Sequence, residues 1–203
     1  MDRYNRHGLK IPEPQSSSLP PRPNFRPLRA HEMSYGQVQS TNVDIPPHRY
    51  TPLKKVWLEI YYLVHEQMKI DVMMNLKARK VVLKTMVDAP DVSNLQKCAD
   101  FVRAFMLGFD VTDAVSLLRV DEHYVDTFTI KDVKTFGGDY MSRAIGRLTG
   151  DGGKTKLAIE NATKTRIVIE NEAIHILGAP RNVRIARDSL CRLILGYRLE
   201  AFL

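Results

Sequence analysis

The chain has little cysteine, no long apolar run and almost no proline after its first quarter, and each shortage excludes something. Its two cysteines, Cys98 and Cys191, form no C-x-x-C pair and no zinc-ligand spacing. A disulfide scaffold and a zinc ribbon are therefore set aside, leaving two small thiols on apolar helix faces in a reducing compartment. No stretch approaches the ~20 consecutive apolar residues that cross a bilayer, and the opening MDRYNRHGLKIPEPQ lacks the apolar segment of a secretory signal. A soluble intracellular protein with no membrane partner is expected. The six histidines (His7, His31, His48, His65, His123 and His175) stand apart, with no H-x-H or H-x-x-x-H pair. No pair of carboxylates falls on a predicted pocket either, so no catalytic residue, metal ligand or cofactor is assigned.

What is present is 44% hydrophobic residues in 203, enough to bury one or two small cores of about 100 residues each. Nine of the eleven prolines lie within the first 52 residues. With serine, arginine and asparagine around them, they offer too little apolar area to offset chain ordering, so residues 1–42 are read as a disordered basic arm. The net charge of +7 divides unevenly. Residues 1–50 carry 7 basic and 4 acidic side chains, 51–138 carry 12 of each, and 139–203 carry 11 and 7. A polyanion would therefore be met at the arm and the C-terminal third, if those charges are more than a solvated surface.

Two folded units are expected beyond the arm, over residues 43–122 and 123–203. In the first, Leu53, Val56, Trp57, Ile60, Leu63, Val64 and Met68 recur at helical spacing behind Thr51-Pro52. Trp57, Tyr61 and Tyr62 are read as core or core-edge residues of that helix. Strands follow around Ile70–Met74 and Val81–Leu83, then a helix capped by Asp91 or Ser93 and ending at Gly108, then a short helix behind Thr112 or Asp113. The second unit reads as a strand through Val125, Phe128 and Ile130, a short helix from Ser142, a glycine run, and a helix with Leu157, Ala158 and Ile159 inward. The hairpin TRIVIE/EAIHILG and a last helix from Pro180 to Gly196 complete it. His175 falls within a strand as a packed or cross-strand residue. Strand, strand, helix recurs in both units, which marks an internal repeat.

The run Gly150-Asp151-Gly152-Gly153 sits between two short helices and admits two readings. A G-x-x-G turn beside a helix N-terminus exposes backbone N–H groups that suit a phosphate, and the missing side chains let a nucleic-acid backbone come close. Arg143, Arg147, Lys154 and Lys156 add charge on neighbouring turns, and Ile145, Leu148, Leu157 and Ile159 suggest an apolar floor for bases. Alternatively the glycines only permit a tight turn at positive φ. A nucleotide-hydrolysing P-loop is disfavoured, because the position where its first glycine should stand is Leu148 and no apolar strand runs into the loop.

The segment SRAIGRLTGDGGKTKLAIENATKTRIVIENEAIHILGAPRNVRIARDSLCRLILG, with RYTPLKKVW, NLKARKVVLKT and ADFVRAFMLGFDVTDAVSLLRVDE upstream, closely resembles the partner-of-NOB-one (Dim-two) family of small-subunit assembly factors. The resemblance covers about residues 43 to 196. It implies an α+β fold of tandem KH domains, the first degenerate and the second with an intact G-x-x-G loop, each a three-stranded antiparallel sheet packed by helices. It further implies a non-catalytic protein of nucleolus, nucleus and cytoplasm that holds the 3′ region of precursor small-subunit rRNA. Its implied partners are the endonuclease that matures that end, other assembly factors and ribosomal proteins. By the same resemblance, Gly150, Gly152 and Gly153 approach RNA, Lys154, Lys156, Arg143 and Arg147 neutralise phosphates, and Ile145, Ile159 and Ile167 line the base groove. Two departures stand out. The family's loop usually carries a base where this chain has Asp151, which repels phosphate. The family also continues beyond the equivalent of Gly196 with a basic tail, whereas this chain ends YRLEAFL. The competing expectation is a KH-type scaffold that binds proteins first and RNA weakly.

Overall fold

The computed structural model describes residues 38–86, 93–135 and 137–197. Most of the proline-rich stretch, the Asp91 cap and the last six residues lie outside these. The first unit opens with strand β1 (Ser40–Asp44), a single 3-10 turn at Pro47–Arg49 and helix α1 (Tyr50–Tyr61), which continues as a π-helical segment, Tyr62–Gln67. Strands β2 (Ile70–Asn75) and β3 (Lys80–Thr85) follow, then α2 (Ser93–Met106) and two single turns, α3 (Val111–Ala114) and α4 (Ser116–Arg119). The second unit contains β4 (Tyr124–Thr129), α5 (Ile130–Val133), α6 (Gly138–Thr149), a 3-10 turn at Asp151–Gly153, α7 (Lys154–Thr163), β5 (Arg166–Glu170), β6 (Ala173–Gly178) and α8 (Pro180–Leu195).

Both sheets are antiparallel with the same order, β1-β3-β2 and β4-β6-β5, so the last strand of each unit enters between the first two. The repeat is thus a whole strand-helix-strand-strand-helix unit, longer than the strand-strand-helix seen in sequence. Its first strand, β1, was not anticipated and starts at Ser40, inside the stretch assigned to the arm. Only Val43 and Ile45 are apolar and buried there; the segment gains its place by pairing Val43 with Val81 and Thr41 with Leu83. Three further differences are local. Ile130 ends no strand but opens α5, where Thr129 forms a capping box with Asp132. Helix α6 begins at Gly138, four residues before Ser142. The turn after Gly108 is entered from Asp110, not from Thr112 or Asp113.

Each sheet turns one face to its own helices. In the second unit Phe128, Ile167, Ile174 and Ile176 meet Ala144, Leu148, Ile159, Val183, Ala186 and Leu190 in a closed core. The opposite face of that sheet is covered by the first unit: Leu177 is buried within the first unit's core, and Val125 and Val168 pack against it. Arg166 Nε donates to Asp113 Oδ1 at 2.9 Å across the seam, and His48 Nε2 lies 3.1 Å from Glu170 Oε1. Cys98 is buried in the first core, and burial pushes its thiol up to about 12, which makes it inert as a nucleophile.

His175 occupies the middle of the covered face, 4% exposed, with Nδ1 2.9 Å from the hydroxyl of Thr127 on the neighbouring strand. Burial holds its imidazole below the ordinary value of 6.5, with Glu170 partly opposing. The folded state thus disfavours the charged ring, so this contribution to stability is intact above pH 6.5 and is lost as pH falls from there through the depressed folded value. Denaturant titrations should show the unfolding free energy declining below pH 6.5, and His175→Gln should flatten that decline; an unchanged slope would remove His175 as its cause.

Candidate nucleic-acid interface

The glycine loop joins α6 to α7 by a backbone path that side chains resist. Gly150 has φ 72° and ψ 180°, Gly152 φ 59°, and Gly153 φ 82°. The loop faces two ways. A Cβ on Gly150 would meet Thr155 Oγ1 at 2.1 Å and the Thr155 backbone nitrogen at 2.8 Å, so this glycine lets the chain fold back on the first turn of α7. Gly152 and Gly153 would meet nothing within 4 Å. Their bare backbone opens outward at the N-terminal end of α7, where Gly153 supplies no side-chain cap to the first turn. A helix end of this kind attracts anions through its N–H groups and its dipole.

Charge around the loop is divided. The Asp151 and Lys154 side chains are almost fully exposed, with Nζ and Oδ2 3.5 Å apart, a loose pair that water screens. Arg143, one helix earlier, lies with its guanidinium 5.2 Å from the centre of the Tyr140 ring, and Tyr140 is 61% exposed. That makes a flat, cationic platform near the start of α6, about 15 Å along the helix from the loop.

The other expected residues are placed differently. Arg147 turns away from the loop and caps α8, donating from Nε to the Leu193 carbonyl at 3.1 Å and from Nη2 to that of Ile194 at 3.0 Å. Those carbonyls lie in the last turn of α8, where the Leu193 carbonyl also accepts the Gly196 N–H at 3.0 Å, and the negative end of the helix dipole favours a guanidinium there. Lys156 lies 3.8 Å from Glu160, so its charge is met within α7. Ile159 and Ile167 are each 1% exposed and belong to the core; Ile145 is half-buried against it. They support the floor of a groove without forming its surface. Leu157, expected inward, is 53% exposed because the helix turns its Ile159 side to the sheet. Tyr61 and Tyr62, expected at the core or its edge, are 37% and 60% exposed.

Sequence reading missed Glu160. Its carboxylate is 7% exposed yet accepts the backbone N–H of Ile167 at 2.7 Å, on the outer edge of β5. Because β5 is the edge strand of its sheet and backbone groups alternate sides, Ile169 two residues on presents its N–H and C=O to the same edge. An acid in the last turn of a short amphipathic helix gives no hint in sequence that it will reach a strand.

Strand, helix, glycine loop, helix, strand, strand, helix is the order of a type I KH domain, and the first unit repeats that architecture with a continuous helix in place of the loop. The fold and the site therefore define a tandem KH protein. A family model for the second KH domain of Pno1, described as a eukaryotic type KH-domain (KH-domain type I), matches residues 127–202. The chain is 50% identical over 175 residues to the pre-rRNA-processing protein PNO1 of Coccidioides immitis, covering 86% of this chain and 68% of that one. It is 52% identical over 176 residues to that of Schizosaccharomyces pombe, covering 86% and 73%. This chain belongs to the Pno1 family. Against the RNA-binding protein pno1 of Drosophila pseudoobscura pseudoobscura it is 55% identical over 154 residues, 76% of this chain, and spans 65% of that protein's length. Among solved structures, Dim2p of Pyrococcus horikoshii in a complex with a/eIF2alpha and rRNA has a TM-score of 0.69 at 22% identity, over 81% of this chain and 90% of that one. A protein of unknown function from Aeropyrum pernix has a TM-score of 0.72 at 21% identity, over 82% and 87%.

The asymmetry of the glycines is open to experiment. Gly150→Ala should lower stability by about 1–3 kcal/mol or more, because it adds a backbone clash to a positive φ, whereas Gly152→Ala should cost less, having strain but no clash. Chemical denaturation of the two variants measures the difference, and equal losses would show that the close approach to Thr155 does not hold the loop.

Proposed function

We propose that this chain is an RNA-binding factor of small-subunit ribosome assembly that clamps a single-stranded stretch of precursor rRNA on the loop Gly150–Gly153. The observation that carries this reading is the outward face of Gly152 and Gly153, bare backbone at a helix end with no side chain in the way. In that arrangement a phosphate sits on the loop, Lys154 neutralises it, the Tyr140–Arg143 platform takes a base by stacking, and the β5 edge at Ile169 reads a base edge through backbone groups. Relatives named as pre-rRNA-processing proteins, and an archaeal fold neighbour solved with rRNA, support the choice of RNA.

The finer proposal is that the bound segment is the 3′ region of the small-subunit precursor, held in nucleolus and nucleus and released after transport to the cytoplasm. There the chain works stoichiometrically, presenting the segment to the endonuclease that matures it, with the first unit, the other assembly factors and ribosomal proteins as its protein contacts. Asp151 and the Lys156–Glu160 pair reduce the positive charge at the loop, which favours as second reading a scaffold with weak RNA affinity.

Filter binding of an unstructured RNA across a salt series separates the two. An RNA clamp loses affinity steeply with salt, with a slope of about −0.7 per phosphate neutralised on a single strand. Asp151→Lys should tighten binding and steepen that slope, and Lys154→Gln should do the reverse. Unchanged affinity in Asp151→Lys would place RNA elsewhere, and negligible binding at physiological salt would favour the scaffold. In cells, crosslinked reads should gather at the 3′ end of small-subunit precursors; reads scattered over messenger RNAs would overturn the assembly reading.

A further inference from the structure

Where α7 ends, the seam between the two units opens into a cavity of about 410 Å³, within the size range that holds small ligands. Its walls come from both units: Thr112 and Ser116 from the first, His123 from the junction, and Asn161, Lys164 and Arg166 from the second. Hydroxyls, an amide, an imidazole and two cations converge there. Of the two acids present, Asp113 is held by Arg166, and Glu160 by Lys156 and the Ile167 N–H, so neither is left as an uncompensated charge against an anion.

The cavity is joined to the glycine loop by one helix. Helix α7 has ten residues, about 15 Å at 1.5 Å per residue, with the loop at its start and Asn161 and Lys164 at its end. Glu160 belongs to both places, since it lines the cavity while tying α7 to the β5 edge. A strand leaving the loop along α7 therefore arrives at the seam. A G-x-x-G loop clamps about four nucleotides, and the cavity adjoins the far end of the helix that follows the loop.

We infer that the seam cavity is a second RNA subsite, taking one splayed-out nucleobase of the strand that runs on from the glycine loop. Asn161 and Thr112 offer donors and acceptors to the edge of the base, the Ser116 oxygen, whose hydroxyl donates to the Asp113 carbonyl, is a further acceptor, and Lys164 supplies positive charge for its phosphate while Arg166 is paired with Asp113. An amide side chain can pair two-point with a purine edge, which is the recognition chemistry this wall can supply. Because its walls come from both units, the subsite exists only when they are docked, which gives the loop-less first unit a part in RNA binding. The inference rests on the RNA reading of the loop, and it extends the contact from phosphates to a base.

Fluorescence anisotropy with oligoadenylates of four and eight nucleotides tests it, using wild type and the charge-neutral double variant Thr112→Val, Asn161→Ala. Sliding a four-nucleotide footprint along the longer strand accounts for about a fivefold gain by statistics alone. The wild type should gain about tenfold more than that. The variant should bind the tetramer as the wild type does and keep only the statistical gain. An octamer made abasic at each position in turn should lose about tenfold at one position outside the loop footprint on the wild type, and nothing there on the variant. A full length gain in the variant, or a flat abasic scan outside the footprint, would overturn the subsite while leaving the loop reading intact. Failure of the wild type to bind either oligomer would overturn the loop reading, and this inference with it.

Discussion

Four side chains that alternate out of one face of the second sheet, Val125, Val168, His175 and Leu177, have to be covered, and the first unit covers them. Alternation leaves a three-stranded sheet with two faces, and α6, α7 and α8 occupy only one. Leu177 shows the dependence most plainly: it sits on the last strand of the second unit but fills the core of the first. Fully burying a leucine is worth about 1.5–3 kcal/mol, and here that burial exists only while the units are docked. The Arg166–Asp113 bond fixes the register of the contact at its rim without adding much energy, since both groups keep contact with water.

That coupling gives the first unit a reason to persist without a glycine loop. Its two helical halves run together as α1 and the π segment, packed in one core with β1, β3 and β2, and α2 carries the surface on which the second sheet lies. Opening a loop in that helix would add bare backbone at a place with no second sheet to support. The neutral charge of residues 51–138 suits a unit whose work is packing, and the basic excess gathers in the unit with the loop.

Elements with a strong internal period were legible in sequence: α2, α8 and the β5/β6 hairpin have apolar residues at regular steps and closing signals such as Gly108 and Gly196. What was not legible depends on contacts between distant parts. Strand β1 has a single buried apolar residue, Val43, and exists because β3 offers it an edge. Leu157 and Ile159 look alike in sequence, and only the docking of α7 decides that one faces water and the other the core. Of the residues expected to meet phosphate, Arg147 was assigned by its nearness to the glycines along the chain. The carbonyls in the last turn of α8 lie 46 and 47 residues away in sequence, and they hold it instead.

The site left after these reassignments is smaller than the glycine motif and its neighbouring bases suggest. Cation for cation, Arg147 and Lys156 are occupied, Arg143 is laid on Tyr140, and Lys154 is offset by Asp151 at the loop itself. Net attraction for phosphate at this spot must then come largely from backbone N–H groups and the α7 dipole, which act over about one helical turn and do not depend on side-chain charge. A clamp of that kind fixes the path of a strand better than it draws the strand in. Affinity has to be gathered over a longer track, and the route open to it follows α7 toward the seam that Leu177 and its neighbours hold closed.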